Sequence, residues 1–156
     1  MKLGIQSAIL DGMTFEEVVD FAADNGFKCI EFMCWPKGSA ERKYAGVTHI
    51  DVVDFTTEKA KYINDYCVSK GIEISALGYY PNVLCPNEDE ANVYINHIKH
   101  VIDAAHLLGI NTVTTFIGND WHKNIDDNWP KMIEVWKPLL QYAQSKKIKI
   151  SIENCA

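Results

Sequence analysis

The chain has 156 residues, of which 47% are hydrophobic and 23% charged, and its formal net charge is −6. This composition is typical of one globular domain and excludes a disordered chain. The acidic balance, with no run of Lys or Arg, argues against nucleic acid as a partner.

The cysteines and the N-terminal residues indicate the cellular compartment in which the chain is expected. Five cysteines occur, an odd number, and no Cys-x-x-Cys pair is present. A disulfide framework or a zinc cluster is therefore not expected, and a reducing, cytoplasmic location fits. The first residues lack the apolar region of a secretory signal, and no segment reaches about 18 apolar residues, so we expect no membrane span.

Strand-like apolar runs alternate with amphipathic helical patterns along the whole chain. Strands are predicted at residues 2–6, 27–32, 72–77, 111–116 and 148–153. Helices are predicted from Thr14 to the stop at Gly26, and at 57–70, 88–108 and 128–146, while 33–56 forms a long connection.

Local signals support these helices. Thr14 and Glu17 have the spacing of a capping box, and Gly26 is a natural stop after the helix. Pro130 suits a first helical turn, whereas Pro138 lies inside the last helix and should kink it or split it in two.

The alternation of strands and helices predicts parallel βαβ units with right-handed crossovers. Side-chain parity favours a barrel. In the third strand Ile72, Ile74 and Ala76 should face the helices, and Glu73, Ser75 and Leu77 the interior. A flat parallel sheet would be apolar on both faces, although short edge strands could imitate the pattern.

We therefore predict an α/β fold, a partial (β/α)8 TIM barrel. It has strands 1–5 and four helices, with the parallel sheet in the order 1-2-3-4-5. A complete barrel of this kind needs roughly 250 residues. Residues 1–156 are thus expected to form the N-terminal part of a single barrel domain, truncated after strand 5.

Three polar side chains end strands on the predicted interior face, namely Gln6, Glu31 and Glu153. Active sites of such barrels lie at the C-terminal ends of the strands. A carboxylate there can bind a divalent metal or remove a proton from carbon. The alternative is that each glutamate is a solvated residue at a strand end.

Loop residues after the strands are further candidates. Trp35, Tyr79 and, more weakly, Trp121 could wall a sugar pocket, but loop aromatics are as often packing residues. His49 and His122 lie in loops on the same side, whereas the helical residues His97, His100 and His106 are better explained by packing or exposure. Lys123 could meet a phosphate, but a solvated lysine is the simpler interpretation.

Five segments carry a family resemblance, in order and spacing. They are Lys-Leu-Gly-Ile-Gln, Asn-Gly-Phe-Lys-Cys-Ile-Glu-Phe, Lys-Gly-Ile-Glu-Ile-Ser-Ala-Leu-Gly, Ala-Ala-His-Leu-Leu-Gly-Ile-Asn-Thr-Val and Lys-Ile-Lys-Ile-Ser-Ile-Glu-Asn-Cys. With them the chain resembles the xylose isomerase-like barrel superfamily, and most of all its sugar phosphate isomerase/epimerase branch.

The resemblance implies a metal-dependent isomerase or epimerase of a sugar, a sugar phosphate or a polyol. Glu153 matches the family's strand 5 glutamate, a metal ligand that also handles the substrate proton. The implied metal is Mn, Mg, Co or Zn. The family's further ligands, an aspartate, a histidine and a glutamate, come from strands 6, 7 and 8. This chain is therefore expected to hold no metal tightly and to be inactive by itself.

We assign Gln6, Glu31, Trp35, Tyr79 and His122 to substrate binding. Two alternatives stay open for the function. One is a keto-polyol dehydratase of the same superfamily, and the other is a non-catalytic half-barrel that self-associates as a homo-oligomer. The superfamily's endonucleases use histidines after strands 3 and 4. The matching segments here, Leu77-Gly-Tyr-Tyr and Thr115-Phe-Ile-Gly, contain no histidine, which argues against a nuclease.

Overall fold

A computed structural model describes residues 1–38 and 45–153 of the chain. The strands are β1 (Gly4–Gln6), β2 (Cys29–Met33), β3 (Glu73–Gly78), β4 (Thr112–Phe116) and β5 (Lys149–Glu153). The helices are α1 (Phe15–Asp24), α2 (Thr57–Ser69), α3 (Glu88–Leu108) and α4 (Ile125–Ser145), and a short 3-10 helix, Ser7–Leu10, follows β1.

The strands form one parallel sheet in the order β1-β2-β3-β4-β5, as predicted. Helix α1 contacts β2, α2 contacts β3, α3 contacts β3 and β4, and α4 contacts β5. This is the arrangement of a partial TIM barrel. Within the described ranges, no helix combines the length and the apolar character needed to cross a membrane.

Side-chain caps fix where the helices begin. The predicted capping box is present, since the Thr14 hydroxyl accepts from the Glu17 N–H and the Glu17 carboxylate accepts from the Thr14 N–H. The Asn87 side chain caps α3 by accepting from the Asp89 and Glu90 N–H groups, and Gly109, with φ of 73°, ends the helix. These caps place each helix start directly after the loop that leaves a strand.

Helix α4 differs from the sequence prediction. It begins at Ile125 because the Asn124 side chain accepts from the Asp127 N–H, 2.9 Å away. It also runs unbroken through Pro130 and Pro138, so the helix is not split at Pro138, while the alternative of a kink there stays a prediction. Proline has no backbone N–H, so the carbonyl one turn before Pro138 lacks its helical hydrogen bond. Pro138 is exposed, and water can solvate that carbonyl instead.

The sheet separates two apolar clusters. The larger lies between sheet and helices and takes Ile30 and Phe32 from β2 and Val113 from β4. The smaller lies on the other, concave face and consists of Ala8, Met33, Val47 and Tyr80. Alternate residues of one strand therefore serve different cores, and Glu31 lies between Ile30 and Phe32 on the concave side.

A β-bulge in β3 changes which side chains face inward. Ile30 pairs with Ile74, but the next residue, Glu31, pairs with Ala76, so Ser75 is an extra residue in β3. Ile74 and Leu77 consequently both pack in the helix-side core. The predicted alternation is thus wrong beyond Ile74, because a strand bulge reverses the parity of every residue that follows it.

Candidate active site

Polar side chains from four strands and one loop meet on the concave face. The Glu31 carboxylate is their centre, and its Oε1 accepts three hydrogen bonds. The donors are the Tyr80 hydroxyl at 2.5 Å, the Thr114 hydroxyl at 2.8 Å and Gln6 Nε2 at 3.2 Å. Glu31 is thereby held in one position by residues that follow or belong to β1, β3 and β4.

Tyr80 joins the two glutamates that were predicted to share the barrel rim. Its hydroxyl oxygen lies 2.5 Å from Glu31 Oε1 and 2.8 Å from Glu153 Oε1. Gln6 Nε2 also approaches this oxygen, at 3.4 Å. The structure therefore brings Gln6, Glu31 and Glu153 together, while their roles in binding and catalysis stay predictions.

Tyr80 is a permanent hydrogen-bond donor in this environment. Burial raises the pKa of its phenol far above the usual value, and the hydrogen bond to Glu31 raises that pKa further. The ring is fixed as well, since it is 7% exposed and packs 4.8 Å from the Phe116 ring. A neutral phenol between two carboxylates adds no charge and supplies one proton, which the Glu31 and Glu153 oxygens share.

The bulge decides which of two neighbouring tyrosines enters this cluster. Tyr80 points inward, and Tyr79 is fully buried in the helix-side core. The Tyr79 ring packs against Trp35 at 4.9 Å and His97 at 4.6 Å. The structure therefore does not bring Tyr79 to the glutamates, and Trp35 is half-buried against it.

The histidines predicted near the rim have other surroundings. His122 is exposed in the loop after β4, beside the Trp121 ring at 5.7 Å. His49 is buried, with Nδ1 2.9 Å from the Ser7 hydroxyl and Nε2 3.2 Å from the Leu10 carbonyl. Burial lowers the pKa of His49. The structure places neither ring in the Glu31 cluster.

A cavity of about 620 Å³ opens beside Glu153, within the size range of small-molecule sites. Glu153 is exposed to it, and Phe116 and the half-exposed Trp129 supply aromatic wall. Lys123 also lines it but is paired with Asp120 at 3.0 Å. The other lining residues are Pro81, Asn82, Leu84, Ile117, Gly118, Asn119, Ile125, Asn128 and Met132.

Three residues of this region escaped the sequence interpretation: Tyr80, Thr114 and Trp129. A signal existed for Trp129, because a helix that follows a barrel strand begins on the mouth side. Thr114 has interior parity in its strand, but its short side chain gave no chemical signal. Simple alternation from Ile74 places Leu77, and after it Tyr79, on the interior face. Tyr80 could have been predicted there only if Leu77 had been assigned to the helix-side face.

The donor set fits part of a site for a divalent cation. Carboxylate oxygens are ligands for Mg²⁺, Mn²⁺ and related ions, and Glu153 presents one at the cavity wall. Residues 1–38 and 45–153 contain no group of three or more His, Cys, Asp or Glu side chains that could hold a metal. Glu153 can therefore act as one ligand, and the described chain does not complete the site.

Comparison with known proteins places this chain in a family. The family profile described as xylose isomerase-like TIM barrel matches residues 19–156, most of the chain. A search of curated proteins found no match.

Solved structures with the same fold include three enzymes or enzyme-like proteins. D-psicose 3-epimerase from Clostridium cellulolyticum H10, solved with D-tagatose, has 14% identity and a TM-score of 0.69, with 97% of this chain and 52% of that chain covered. The probable 3-DHS dehydratase AsbF from Bacillus anthracis has 15% identity and a TM-score of 0.70, with 97% and 52% covered. The IolI protein with a bound zinc atom has 18% identity and a TM-score of 0.65, with 97% and 51% covered.

These similarities show the fold, since the identities are low. The chain spans about half the length of the structures that it matches. An epimerase and a dehydratase match equally well, so similarity alone does not choose between their reactions.

Proposed function

The chain belongs to the xylose isomerase-like TIM-barrel family, and from that premise we propose that it carries part of the active site of a sugar or polyol isomerase or epimerase. The reaction is proton removal from the carbon next to a carbonyl. The observation that supports this proposal is the pairing of Glu31 and Glu153 through Tyr80 beside the cavity.

Glu153 has the surroundings that a proton-transfer group needs. It is exposed to the cavity at the end of β5, while its Oε1 is held by Tyr80. We assign it the role of base, and of metal ligand as the family resemblance implies. Glu31, by contrast, has one oxygen occupied by three donors, which suits a residue that binds and orients rather than one that accepts the substrate proton.

Substrate binding falls to the residues around these glutamates. Gln6 lies at the same rim and can reach a hydroxyl group of a sugar through its amide. Phe116 and Trp129 take the aromatic wall role for which Trp35 and Tyr79 were candidates, because they line the cavity. Apolar and aromatic surface with a few polar groups is the usual lining of a small-molecule site.

A divalent metal fits this proposal as a partner of Glu153. When bound, such an ion polarises substrate oxygens and so favours proton removal from the neighbouring carbon. Mn, Mg, Co and Zn all suit a carboxylate with imidazole ligands, so the donor type does not select among them.

We further propose that residues 1–156 supply the first five strands of a single barrel domain. The support is that the whole chain aligns with about half of each solved barrel. The remaining ligands would then come from later strands, and activity would require those strands. A reducing cytoplasmic location remains the expectation from the cysteine pattern.

Hydrogen exchange tests the reaction class directly. A protein that contains residues 1–156 together with the later strands of the barrel is incubated in D₂O with MnCl₂ and, in turn, D-fructose, D-psicose and D-tagatose, and the sugars are analysed by NMR and mass spectrometry. Incorporation of deuterium next to the carbonyl, which does not occur when EDTA is present, supports an isomerase or epimerase. Loss of one water from the sugar would indicate a dehydratase. No change in any sugar with Mn, Mg, Co or Zn, when the later strands are present, would count against the enzyme and favour the non-catalytic alternative.

A further inference from the structure

We propose that Tyr80 is a positioning residue that holds the Glu153 carboxylate in its working orientation, with Glu31 as its fixed anchor. The catalytic consequence rests on the proposed function, whereas the hydrogen-bond arrangement does not. A tyrosine that bridges these glutamates has no counterpart in the sequence expectations, which favoured its neighbour Tyr79.

The anchor is the more rigid of the two glutamates. Glu31 lies within β2, and its Oε1 receives hydrogen bonds from Gln6 on the adjacent strand and from Thr114 on a strand two places away, besides Tyr80. Gln6 belongs to β1 and Thr114 belongs to β4. The strands on either side of the β2–β3 pair therefore bind the same oxygen. A carboxylate bound in this way cannot swing away without breaking three contacts.

Tyr80 transmits that rigidity. Its ring is buried against Phe116 and shares an apolar cluster with Met33, Ala8 and Val47, so its hydroxyl has little freedom to move. A tyrosine has only two side-chain torsions, which makes a packed ring an efficient fixed point. Its oxygen reaches Glu31 at 2.5 Å and Glu153 at 2.8 Å.

Glu153 needs such a fixed point. It is exposed at the last residue of β5, and its side chain can rotate about three bonds. In the described part of the chain, the Tyr80 hydroxyl is the group that hydrogen-bonds its carboxylate. Removing that hydroxyl should leave Glu153 free to sample other orientations, and misplacement of a catalytic group is costly.

The adjacent tyrosines provide a matched pair of variants. Tyr80→Phe and Tyr79→Phe each delete one buried hydroxyl and keep the ring, but only the Tyr80 hydroxyl touches the glutamates. Two measurements are made on each variant, in the protein that also contains the later strands of the barrel. The first is the rate of Mn²⁺-dependent deuterium exchange on the most reactive of the three ketoses, separated into kcat and KM. The second is the ¹³C NMR signal of each glutamate carboxyl, assigned with E31Q and E153Q.

The expected result is specific to Tyr80. Y80F should lower kcat by roughly 10- to 100-fold, the usual effect of losing a hydrogen bond that orients a metal ligand, with a small change in KM. It should also shift the carboxyl signals of both Glu31 and Glu153. Y79F should leave kcat and both signals near those of the parent protein.

Three outcomes overturn the proposal. One is an unshifted Glu153 signal in Y80F, another is an unchanged kcat, and the third is an equal loss in Y79F and Y80F, which would show a purely structural effect. If Y80F does not fold, Thr114→Val removes another donor to the Glu31 oxygen and should shift the same two signals. If the parent protein exchanges no sugar, the proposed function fails, and the carboxyl signals still decide whether Tyr80 holds Glu153.

Discussion

Gly78 lies so close to the Glu31 carboxylate that a Cβ atom at position 78 would be 2.6 Å from Glu31 Oε1. The same Cβ would be 2.3 Å from Met33 Cε. Contacts under 3.0 Å are essentially never adopted by real Cβ atoms, so this position accepts only glycine without movement. The end of β3 is therefore shaped around the anchor of the candidate site.

Gly78→Ala should accordingly disturb the site. We expect it to lower the free energy of unfolding by about 1–3 kcal/mol, because the new methyl group must displace Glu31 or Met33. Urea denaturation measures the loss. Ser151→Ala, an exposed change in β5, is the control and should remain within about 0.5 kcal/mol of the parent. Equal stability of G78A and the parent would contradict this geometry.

Glu153→Gln should abolish most proton exchange in the active protein. The amide keeps the size of the side chain but cannot accept the substrate proton, so the exchange rate should fall roughly 10²- to 10⁴-fold. Glu73→Gln is the matched control, since Glu73 is an exposed strand residue paired with Lys2. Unchanged turnover in E153Q would show that Glu153 is a bystander.

Tyr79→Phe should preserve or increase stability. The Tyr79 hydroxyl is buried and has no hydrogen-bond partner within the described residues, so its removal relieves a desolvation cost of about 1 kcal/mol. Tyr66→Phe, whose hydroxyl donates to Asp20 at 3.0 Å, should not be stabilising. Thermal and urea unfolding compare the two. A clear destabilisation of Y79F would mean that its hydroxyl does bind a partner.

Acid should destabilise the fold through two buried histidines. Burial lowers the pKa values of His49 and His97 from 6.5, and this effect outweighs the opposing hydrogen bonds to the Leu10 and Cys34 carbonyls. The unfolded chain then binds more protons than the folded one. Stability is therefore full above about pH 6.5 and falls as the pH decreases through that value.

Urea denaturation at about pH 7.5 and about pH 5.5 measures this loss, and histidine NMR titration assigns it. Each unit by which a pKa is lowered corresponds to about 1.4 kcal/mol at most. A His49 ring that titrates at or above its ordinary pKa would refute the assignment.

The chain of 156 residues should associate with itself. Strands β1 and β5 end the described sheet, and each pairs on one side only. Helix α4 exposes an apolar stripe, Trp129, Ile133 and Leu140. Free strand edges and apolar patches favour contact with another copy.

Sedimentation velocity tests this association. Ile133→Glu should shift the chain towards monomer, while Val93→Glu, at an exposed apolar residue of α3, should have less effect. A stable monomer at high micromolar concentration would contradict the prediction.

The sequence by itself determined the order of the elements and three of the polar side chains that meet on the concave face, Gln6, Glu31 and Glu153. Period-two alternation marks strands such as β5, and the capping box at Thr14 marks the start of α1, because both depend on residues close together in the chain. Parallel strands place their C-terminal ends together, so Glu31 and Glu153 could be assigned to one rim from their positions alone.

Only the tertiary structure decided which tyrosine meets them. The extra residue at Ser75 arises from the pairing of β3 with β2, and no pattern within β3 alone reveals it. The bulge turns Tyr79 into the helix-side core and Tyr80 towards the glutamates. Register is set by packing between strands distant in sequence, which is why alternation predicted the sheet and yet selected the wrong face for Leu77.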